Sequence, residues 1–240
     1  MGGEYVYKVE THMHTSQGSA CAHSTGAEMA RAYKEQGYSA VIVTDHFFGG
    51  NTAVPSRSER TGDWYSWDKR LSLFAEGYED AKREGDRIGL GVFFGFELGE
   101  YGTDFLIYDY GVERLSAFPS ITAVGIHAAL ERIRGEGGFI VHAHPFRGDS
   151  YIRYPGRLFP GHIDAVEVIN ISNGTEETER LAVEYAERNG LIRLGGSDAH
   201  SAKPYGRGSG RGGVAFMERP KTINDVIRLA RKGEMIILGE

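Results

Sequence analysis

The chain has 240 residues, 40% hydrophobic and 25% charged, a composition typical of globular proteins and unlike disordered or fibrous ones. Its length favours one large domain. It holds 27 Lys and Arg against 33 Asp and Glu, and the formal net charge of -6 argues against a surface for long nucleic acids or anionic membranes. The single cysteine, Cys21, excludes an internal disulfide and a thiolate zinc cluster, which fits a reducing compartment.

The sequence shows no targeting signal and no membrane-spanning segment. Met1-Gly2-Gly3-Glu4 is not followed by a basic and then an apolar run, so we expect an unprocessed N-terminus. The longest apolar candidate, residues 88–96, is far shorter than the about 20 residues that a spanning helix needs. These features predict a cytoplasmic protein without a membrane partner.

Short apolar runs alternate with amphipathic stretches along the chain, and 34 glycines separate them. This alternation predicts an α/β domain of βαβ units with parallel strands. Strands are predicted over residues 6–11, 39–44, 90–96, 104–108, 139–141, 165–169, 192–195, 213–217 and 235–238. Helices are predicted over residues 26–36, 68–84, 121–134, 176–188 and 223–231. No linker divides the chain, so a single domain over residues 1–240 is expected.

Residues 51–67 are polar and lack a long apolar run. A segment of this kind is typical of an insertion or lid at an active site. Its two tryptophans, Trp64 and Trp67, could stack on a substrate, but anchoring of the segment on the domain is the preferred interpretation.

Six of the nine histidines follow predicted strands, at the strand edge where parallel α/β folds build their sites. Residues two apart on an extended strand face the same side, so each H-x-H or D-x-H pair can converge on one centre. Imidazole and carboxylate together are the ligand set of Zn, Mn or Fe(II). Asp45 and His46 are adjacent, so only one of them can face the metal while the other orients a ligand. The candidate ligands are His12, His14, Asp45, His46, Glu97, His142, His144, Asp198 and His200.

Five short motifs that contain these candidate ligands make the sequence resemble the PHP family, named for polymerase and histidinol phosphatase domains. They are ETHMHT at 10–15, TDH at 44–46, GFE at 95–97, VHAHP at 141–145 and GSDAH at 196–200. The resemblance runs through essentially the whole chain. It implies a distorted, TIM-like (β/α)7 barrel that holds two or three divalent metal ions at its C-terminal mouth and hydrolyses phosphoesters.

The resemblance also implies a distribution of ligands among three ions. His12, His14, Glu97 and Asp198 would hold the first, Glu97 would bridge to a second that His144 also holds, and His46 and His200 would hold the third.

Three positions depart from the family pattern. The loop after the first motif offers Gln17, with His23 further on, where the family has an acidic or imidazole ligand. The second ion often takes a further histidine between the glutamate and the H-P strand. Here Asp104, at a strand start, is preferred for this role over His127. His142 occupies a place that is commonly small and apolar, which suggests that it orients a ligand.

Two arginines, Arg147 and Arg207, are candidates to hold phosphate oxygens through paired hydrogen bonds. His46 or His200 could protonate the leaving group if its metal site stays empty. The expected substrate is a small phosphorylated metabolite or nucleotide, with inorganic phosphate as a product. Specificity is expected from residues 51–67 and from the loop over residues 144–160, which contains Arg153 and Arg157. His127 and His162 are interpreted as ordinary surface residues.

Two other functions remain open at this stage. An amidohydrolase-type barrel also begins with H-x-H, but it usually needs a carboxylated lysine in mid-chain, and no lysine lies between Lys82 and Lys203. A barrel that binds metal without catalysis would serve as an interaction module. The intact set of candidate ligands argues against this last interpretation.

Overall fold

A computed structural model describes residues 5–203 and 211–239, which form nine strands and six helices. The strands are β1 (Tyr7–Met13), β2 (Tyr38–Val43), β3 (Gly91–Glu100), β4 (Thr103–Tyr108), β5 (Phe139–His142), β6 (Ala165–Asn170), β7 (Ile192–Gly196), β8 (Gly213–Phe216) and β9 (Met235–Leu238). The helices are α1 (Gly26–Glu35), α2 (Trp67–Ile88), α3 (Val112–Ser116), α4 (Ile126–Gly135), α5 (Glu176–Arg188) and α6 (Ile223–Lys232).

All nine predicted strands and all five predicted helices are present, with shifted ends. Helix α2 is longer than predicted because Ser66 caps its first turn through the backbone N–H of Lys69 and Gly89 ends it in a left-handed conformation. Helix α4 begins later than predicted, after Gly125. The short helix α3 was not predicted, since five residues carry too little periodicity to be recognised.

The strands form one sheet in the order β7-β6-β5-β4-β3-β2-β1-β8-β9, and the sheet curves into a nearly closed barrel. This confirms the predicted α/β barrel of the distorted, TIM-like kind, although the described residues form nine strands where the (β/α)7 expectation had seven. The sheet curves far enough for β7, at one end, to approach β1: just beyond these two strands the His14 N–H donates to the Ala199 carbonyl at 2.9 Å. The Thr11 hydroxyl donates to the Gly195 carbonyl at 2.5 Å, which adds a second link.

The predicted parallel pairing is confirmed for β1–β2, β2–β3, β5–β6 and β6–β7, and the other four strand pairs depart from it. Strand β4 is antiparallel to both of its neighbours, β8 is antiparallel to β1, and β9 is antiparallel to β8. Only Tyr101 and Gly102 separate β3 from β4, and both have positive φ, 56° and 83°. A two-residue turn of this kind joins antiparallel strands, whereas a parallel pair needs a long crossover.

Apolar side chains fill the inside of the barrel and the layer between the sheet and the helices. Helices α1 and α2 come unusually close together and to the end of β1. A Cβ on Gly26 would lie 2.2 Å from the Gly77 carbonyl oxygen, and a Cβ on Gly77 would lie 2.0 Å from Thr15 Oγ1. Both positions therefore need glycine.

Replacing Gly77 by alanine is expected to destabilise the protein, although alanine favours a helix. The added methyl group has no room beside Thr15, and overpacking of this kind costs about 1–3 kcal/mol. Denaturant unfolding measures the change. Glu76→Ala, at an exposed position of the same helix, is the matched control and should leave stability nearly unchanged. Equal stability of the two variants would contradict the close packing.

None of the described helices is both long and apolar enough to cross a membrane.

Candidate metal centre

The candidate ligands gather at one edge of the barrel, where the parallel strands end. Because β4 runs in the opposite direction, its first residues lie at this same edge, and this brings Asp104 to the cluster. The residues that meet there are His12, His14, His46, Glu97, Asp104, His144, Asp198 and His200.

The buried carboxylate of Glu97 lies at the centre of the cluster. Four imidazoles surround it, with nearest nitrogen–oxygen distances of 2.6 to 3.6 Å; they belong to His12, His14, His46 and His144. Burial raises the pKa of Glu97, but the charge of His46 and the hydrogen bonds of His144 and His46 outweigh it and hold the pKa well below its usual value. Glu97 is therefore ionised and available as a ligand.

Asp198 is the second buried carboxylate of the cluster. Its Oδ1 lies 3.1 Å from His14 Nε2 and 3.5 Å from His12 Nε2, and its Oδ2 accepts a hydrogen bond from Asn173 at 2.5 Å. Asp198 and His144 both have positive φ, 53° and 28°. Non-glycine residues adopt this conformation at an energetic cost, and such strain is common at functional sites.

The donor atoms fit divalent cations. Among the described residues, His12 Nε2, His14 Nε2 and both carboxylate oxygens of Glu97 are buried without a hydrogen bond of normal geometry. Burying polar atoms without such hydrogen bonds is costly, and bound divalent cations would satisfy them. Four sets of donor atoms lie within 4.8 Å of one another: His12, His14 and Glu97; Glu97, Asp104 and His144; His14, His46 and His200; and His12, His144 and Glu167.

The histidines of the cluster have pKa values shifted in opposite directions. Burial lowers the pKa of His12, but the charges of Glu167 and Asp198 outweigh this and raise it to about 10. Burial and the charges of His46 and His200 lower the pKa of His14 to about 3. His14 is therefore neutral, the form in which imidazole binds metals.

A buried glutamate that the sequence analysis missed holds His12 and His144. Glu167 Oε1 lies 2.9 Å from His12 Nδ1, and its Oε2 accepts hydrogen bonds from the His144 N–H at 3.0 Å and from Asn170 Nδ2 at 2.9 Å. A carboxylate on Nδ1 turns Nε2 of the imidazole toward a metal. One signal was available, because Glu167 is the only charged residue in the apolar stretch AVEVI over residues 165–169.

We expect Glu167→Gln to weaken metal binding by about 10- to 100-fold, the usual effect of removing a carboxylate behind a metal-binding histidine. The amide keeps the volume but loses the charge that orients His12. Competition with a chromophoric chelator measures the affinity. Glu177→Gln, at an exposed position of α5, is the control, and an unchanged affinity in Glu167→Gln would show that Glu167 does not support the site.

Asp45 points away from the cluster and acts through Ser19. The Asp45 carboxylate accepts hydrogen bonds from the Thr15 N–H and hydroxyl, both at 2.6 Å, and from the Ser19 hydroxyl at 2.8 Å. The oxygen of that hydroxyl lies 3.0 Å from His14 Nδ1. This chain of contacts orients the His14 ring, while the adjacent His46 faces Glu97.

The structure does not bring His142 to the cluster. Its ring is buried in the apolar layer, 4.9 Å from the ring of Phe105, and its pKa is lowered to about 3 by burial and by the charge of His144. The positive φ of His144 ends the extended conformation, so the two histidines do not face the same side. His127 also lies apart, next to Phe159.

Arg147 lies at the mouth of the cluster. Its guanidinium nitrogens are 3.1 Å from Asp104 Oδ2, 2.9 Å from Asp149 Oδ2 and 3.9 Å from Asp198 Oδ2. Arg207, the other candidate, falls outside the described residues. A cavity of about 560 Å³ opens here, and it is lined by His46, Asp104, Arg147, Asp198 and His200 together with Cys21, Tyr101 and Tyr151.

The predicted lid, residues 51–67, contributes little to this cavity: Asn51 is the one residue of this segment that lines it. Trp67 anchors the start of α2 through a hydrogen bond from its indole to the Leu115 carbonyl at 2.8 Å. Trp64 is 67% exposed, and the guanidinium of Arg57 lies over its ring at 3.8 Å. In the specificity loop, Arg157 pairs with Glu100 at 2.8 Å.

No protein-family model and no curated protein matches the sequence, whereas several solved structures match the fold. A two-domain protein of Bacteroides vulgatus, described as containing a PHP-like metal-dependent phosphoesterase, has a TM-score of 0.67 and 15% identity over 96% of this chain. The chain has the fold of PHP-like proteins. It spans 64% of the length of the Bacteroides protein.

Two other structures share the PHP-like fold. A Bifidobacterium adolescentis protein described as a metal-dependent phosphoesterase has a TM-score of 0.57 and 16% identity, with 96% of this chain and 98% of the other aligned. The lesion-specific endonuclease EndoQ of Pyrococcus furiosus has a TM-score of 0.61 and 15% identity, and the match covers 96% of this chain and 57% of EndoQ. At these identities the comparisons establish the fold alone.

Proposed function

We propose that the protein is a metal-dependent phosphoesterase that hydrolyses a small phosphorylated metabolite or nucleotide. One observation carries the proposal: a buried carboxylate, Glu97, lies among four imidazoles, one of which, His46, lines a cavity together with Arg147. The PHP-like fold supports it, since the Bacteroides and Bifidobacterium proteins with this fold are described as metal-dependent phosphoesterases.

The centre would hold two or three divalent ions, drawn from Zn, Mn and Fe because the ligands are imidazoles and carboxylates. His12, His14, Glu97 and Asp198 would hold the first ion. Glu97, Asp104 and His144 would hold the second, and His46 and His200 the third. The sets of donor atoms within 4.8 Å of one another support the assignments of the ligands other than Asp198. Asp198 is assigned from its Oδ1, which lies 3.1 Å from His14 Nε2 and 3.5 Å from His12 Nε2.

Metal ions at such a centre lower the pKa of bound water to about 7 and neutralise the charge of the phosphoryl oxygens. The chain supplies the remaining functions. Arg147 would bind a phosphoryl oxygen with its guanidinium, which already faces the cavity, and Arg207 remains a second candidate. His46 or His200 would donate a proton to the leaving oxygen where the ion between them is absent.

The cavity and the charge of the chain indicate the size of the substrate. A volume of about 560 Å³ accommodates a small phosphorylated molecule. The net charge of -6 disfavours long nucleic acids, whose phosphates require basic surfaces. Inorganic phosphate would be the product from a monoester.

Phosphate release from a panel of substrates tests this function. Chelator-stripped protein is resupplied in turn with Mn, Zn, Fe(II) and Mg, and is assayed with phosphomonoesters, phosphodiesters and nucleotides. Short DNA oligonucleotides are included because EndoQ shares the fold, and carboxylic amides and esters are included for the amidohydrolase alternative. Metal-dependent cleavage of a phosphoester supports the proposal. Cleavage of amides alone, or of nothing by the metal-loaded protein, contradicts it.

Removing the metal ions is expected to lower the thermal stability of the protein. A ligand present at 100 times its Kd, and bound by the folded state alone, adds about 2.7 kcal/mol. Thermal unfolding of the stripped and reloaded protein measures this change as a shift in Tm. The shift should shrink in Glu97→Gln, and a Tm that does not respond to metal in the unaltered protein would contradict a metal centre at this edge of the barrel.

A further inference from the structure

The loop after β6, residues 171–174, holds the backbone of Asp198. The Ser172 hydroxyl lies 2.7 Å from the Ser197 carbonyl oxygen and 3.2 Å from that of Asp198, and the Ser172 N–H donates to the Ser197 carbonyl at 3.2 Å. Asp198 has a positive φ of 53°. A strained backbone of this kind persists where the surrounding structure fixes it, and Ser172 supplies part of that support.

The same loop holds the side chain of Asp198 through Asn173. Asn173 Nδ2 donates to Asp198 Oδ2 at 2.5 Å. Asp198 Oδ1 lies instead 3.1 Å from His14 Nε2 and 3.5 Å from His12 Nε2. The two carboxylate oxygens therefore have different surroundings, an amide for one and imidazoles for the other. A donor on one oxygen fixes the rotation of the carboxylate and presents the other oxygen to a cation.

A tight turn places the Asn173 amide. The Asn170 side-chain oxygen accepts from the Asn173 N–H at 2.9 Å, and the Asn170 carbonyl accepts from the Gly174 N–H at 2.8 Å. A Cβ on Gly174 would lie 2.5 Å from the Asn170 carbonyl oxygen, so the turn needs glycine there. Asn170 Nδ2 also donates to Glu167 Oε2 at 2.9 Å. The turn thus joins the loop to the glutamate behind two of the candidate ligands.

Asn173 lies at the wall of the cavity, where it is partly exposed. Arg147 also lines the cavity, but its guanidinium is 3.9 Å from Asp198 Oδ2, beyond hydrogen-bond distance. The amide of Asn173 is closer to this oxygen, so the amide rather than the guanidinium sets the direction of the carboxylate. Because a partly exposed side chain contributes little to the core, its replacement should leave the barrel folded.

We propose that Asn173 is a positioning residue that holds Asp198 with Oδ1 toward the first metal ion. The inference rests on the metal centre of the proposed function and assigns a role to a residue that this function does not use. Asn173 would contact Asp198 and neither the ion nor the substrate. Without the amide the carboxylate could turn, so the first ion would bind more weakly while the ions that do not contact Asp198 keep their ligands.

Metal titration of Asn173→Ala and Asn173→Leu tests the proposal. Both substitutions remove the amide, and leucine keeps most of its volume. We expect each variant to bind one ion about 10- to 100-fold more weakly and the other ions with nearly unchanged affinity. Competition with a chromophoric chelator measures the affinities. Asn224→Ala, at an exposed position of α6, is the matched control.

Cobalt substitution gives a second readout, one that a loss of stability alone would not move. The visible absorption bands of bound Co(II) depend on the number and arrangement of its ligand atoms. They should shift in both Asn173 variants and stay unchanged in Asn224→Ala. Circular dichroism checks the folding of each variant. An unaltered spectrum with unaltered affinity in Asn173→Leu, or loss of the fold in both Asn173 variants, overturns the positioning role.

Phosphoester hydrolysis at saturating metal separates this inference from the proposed function. We expect kcat of the Asn173 variants to fall by about tenfold with KM nearly unchanged. A rise in KM alone, with unchanged metal affinity, would place Asn173 against the substrate and overturn the positioning role. Metal binding that depends on Asn173 without any hydrolysis removes the phosphoesterase alone, and a protein that binds no divalent metal contradicts both.

Discussion

Replacing Glu97 by glutamine is expected to reduce kcat/KM for a phosphoester by at least about 100-fold. This exceeds the usual effect of altering a residue that hydrogen-bonds a metal ligand without binding the metal itself. Glu97 belongs to two of the sets of converging donor atoms, one with His12 and His14 and one with Asp104 and His144. A neutral amide cannot balance the charge of two cations. The variant should therefore lose two bound metal ions as well as activity.

Circular dichroism and metal analysis accompany this assay. Glutamine has nearly the volume of glutamate, so the barrel should fold, and Glu131→Gln at an exposed position of α4 provides the matched control. Full activity of Glu97→Gln with its metals retained would exclude Glu97 as the shared ligand.

The second large effect is expected for Asp198→Asn, again a loss of at least about 100-fold in kcat/KM. Asp198 Oδ1 lies 3.1 Å from His14 Nε2 and 3.5 Å from His12 Nε2, so its charge acts on the first ion. Because Asp198 lies outside the sets that contain Glu97, this variant should lose one ion where Glu97→Gln loses two.

Asp63→Asn, at an exposed loop position, is the control for Asp198→Asn. The comparison between Glu97→Gln and Asp198→Asn is the sharper test, because the two variants are expected to lose different numbers of metal ions. Equal metal contents in Glu97→Gln and Asp198→Asn would contradict the assignment of Glu97 to two ions.

The strands and most helices could be predicted from local patterns, because alternation and glycine positions reflect burial within a few residues. The direction of β4 could not, since it depends on the turn at Tyr101 and Gly102, whose positive φ values appear only in the structure. The preference for Asp104 over His127 came from its position at a strand start. The structure shows why that start lies at the cluster, because β4 runs against its neighbours.

The candidate site could be predicted where a motif follows a strand directly, as for His12 and His14. The prediction for His142 assumed that the strand stays extended through His144, and the left-handed backbone of His144 breaks that assumption. Glu167 was missed because a single acidic residue within an apolar strand gives no repeating sequence pattern that marks a site. Its role depends on contact with His12, 155 residues away in the chain.

The metal content of purified protein tests the central claim most directly. Inductively coupled plasma mass spectrometry of the reloaded protein, Glu97→Gln and Asp198→Asn counts the ions bound to each chain. We predict two or three ions in the unaltered protein, two fewer in Glu97→Gln and one fewer in Asp198→Asn. An unaltered protein that binds no divalent metal tightly would contradict the account.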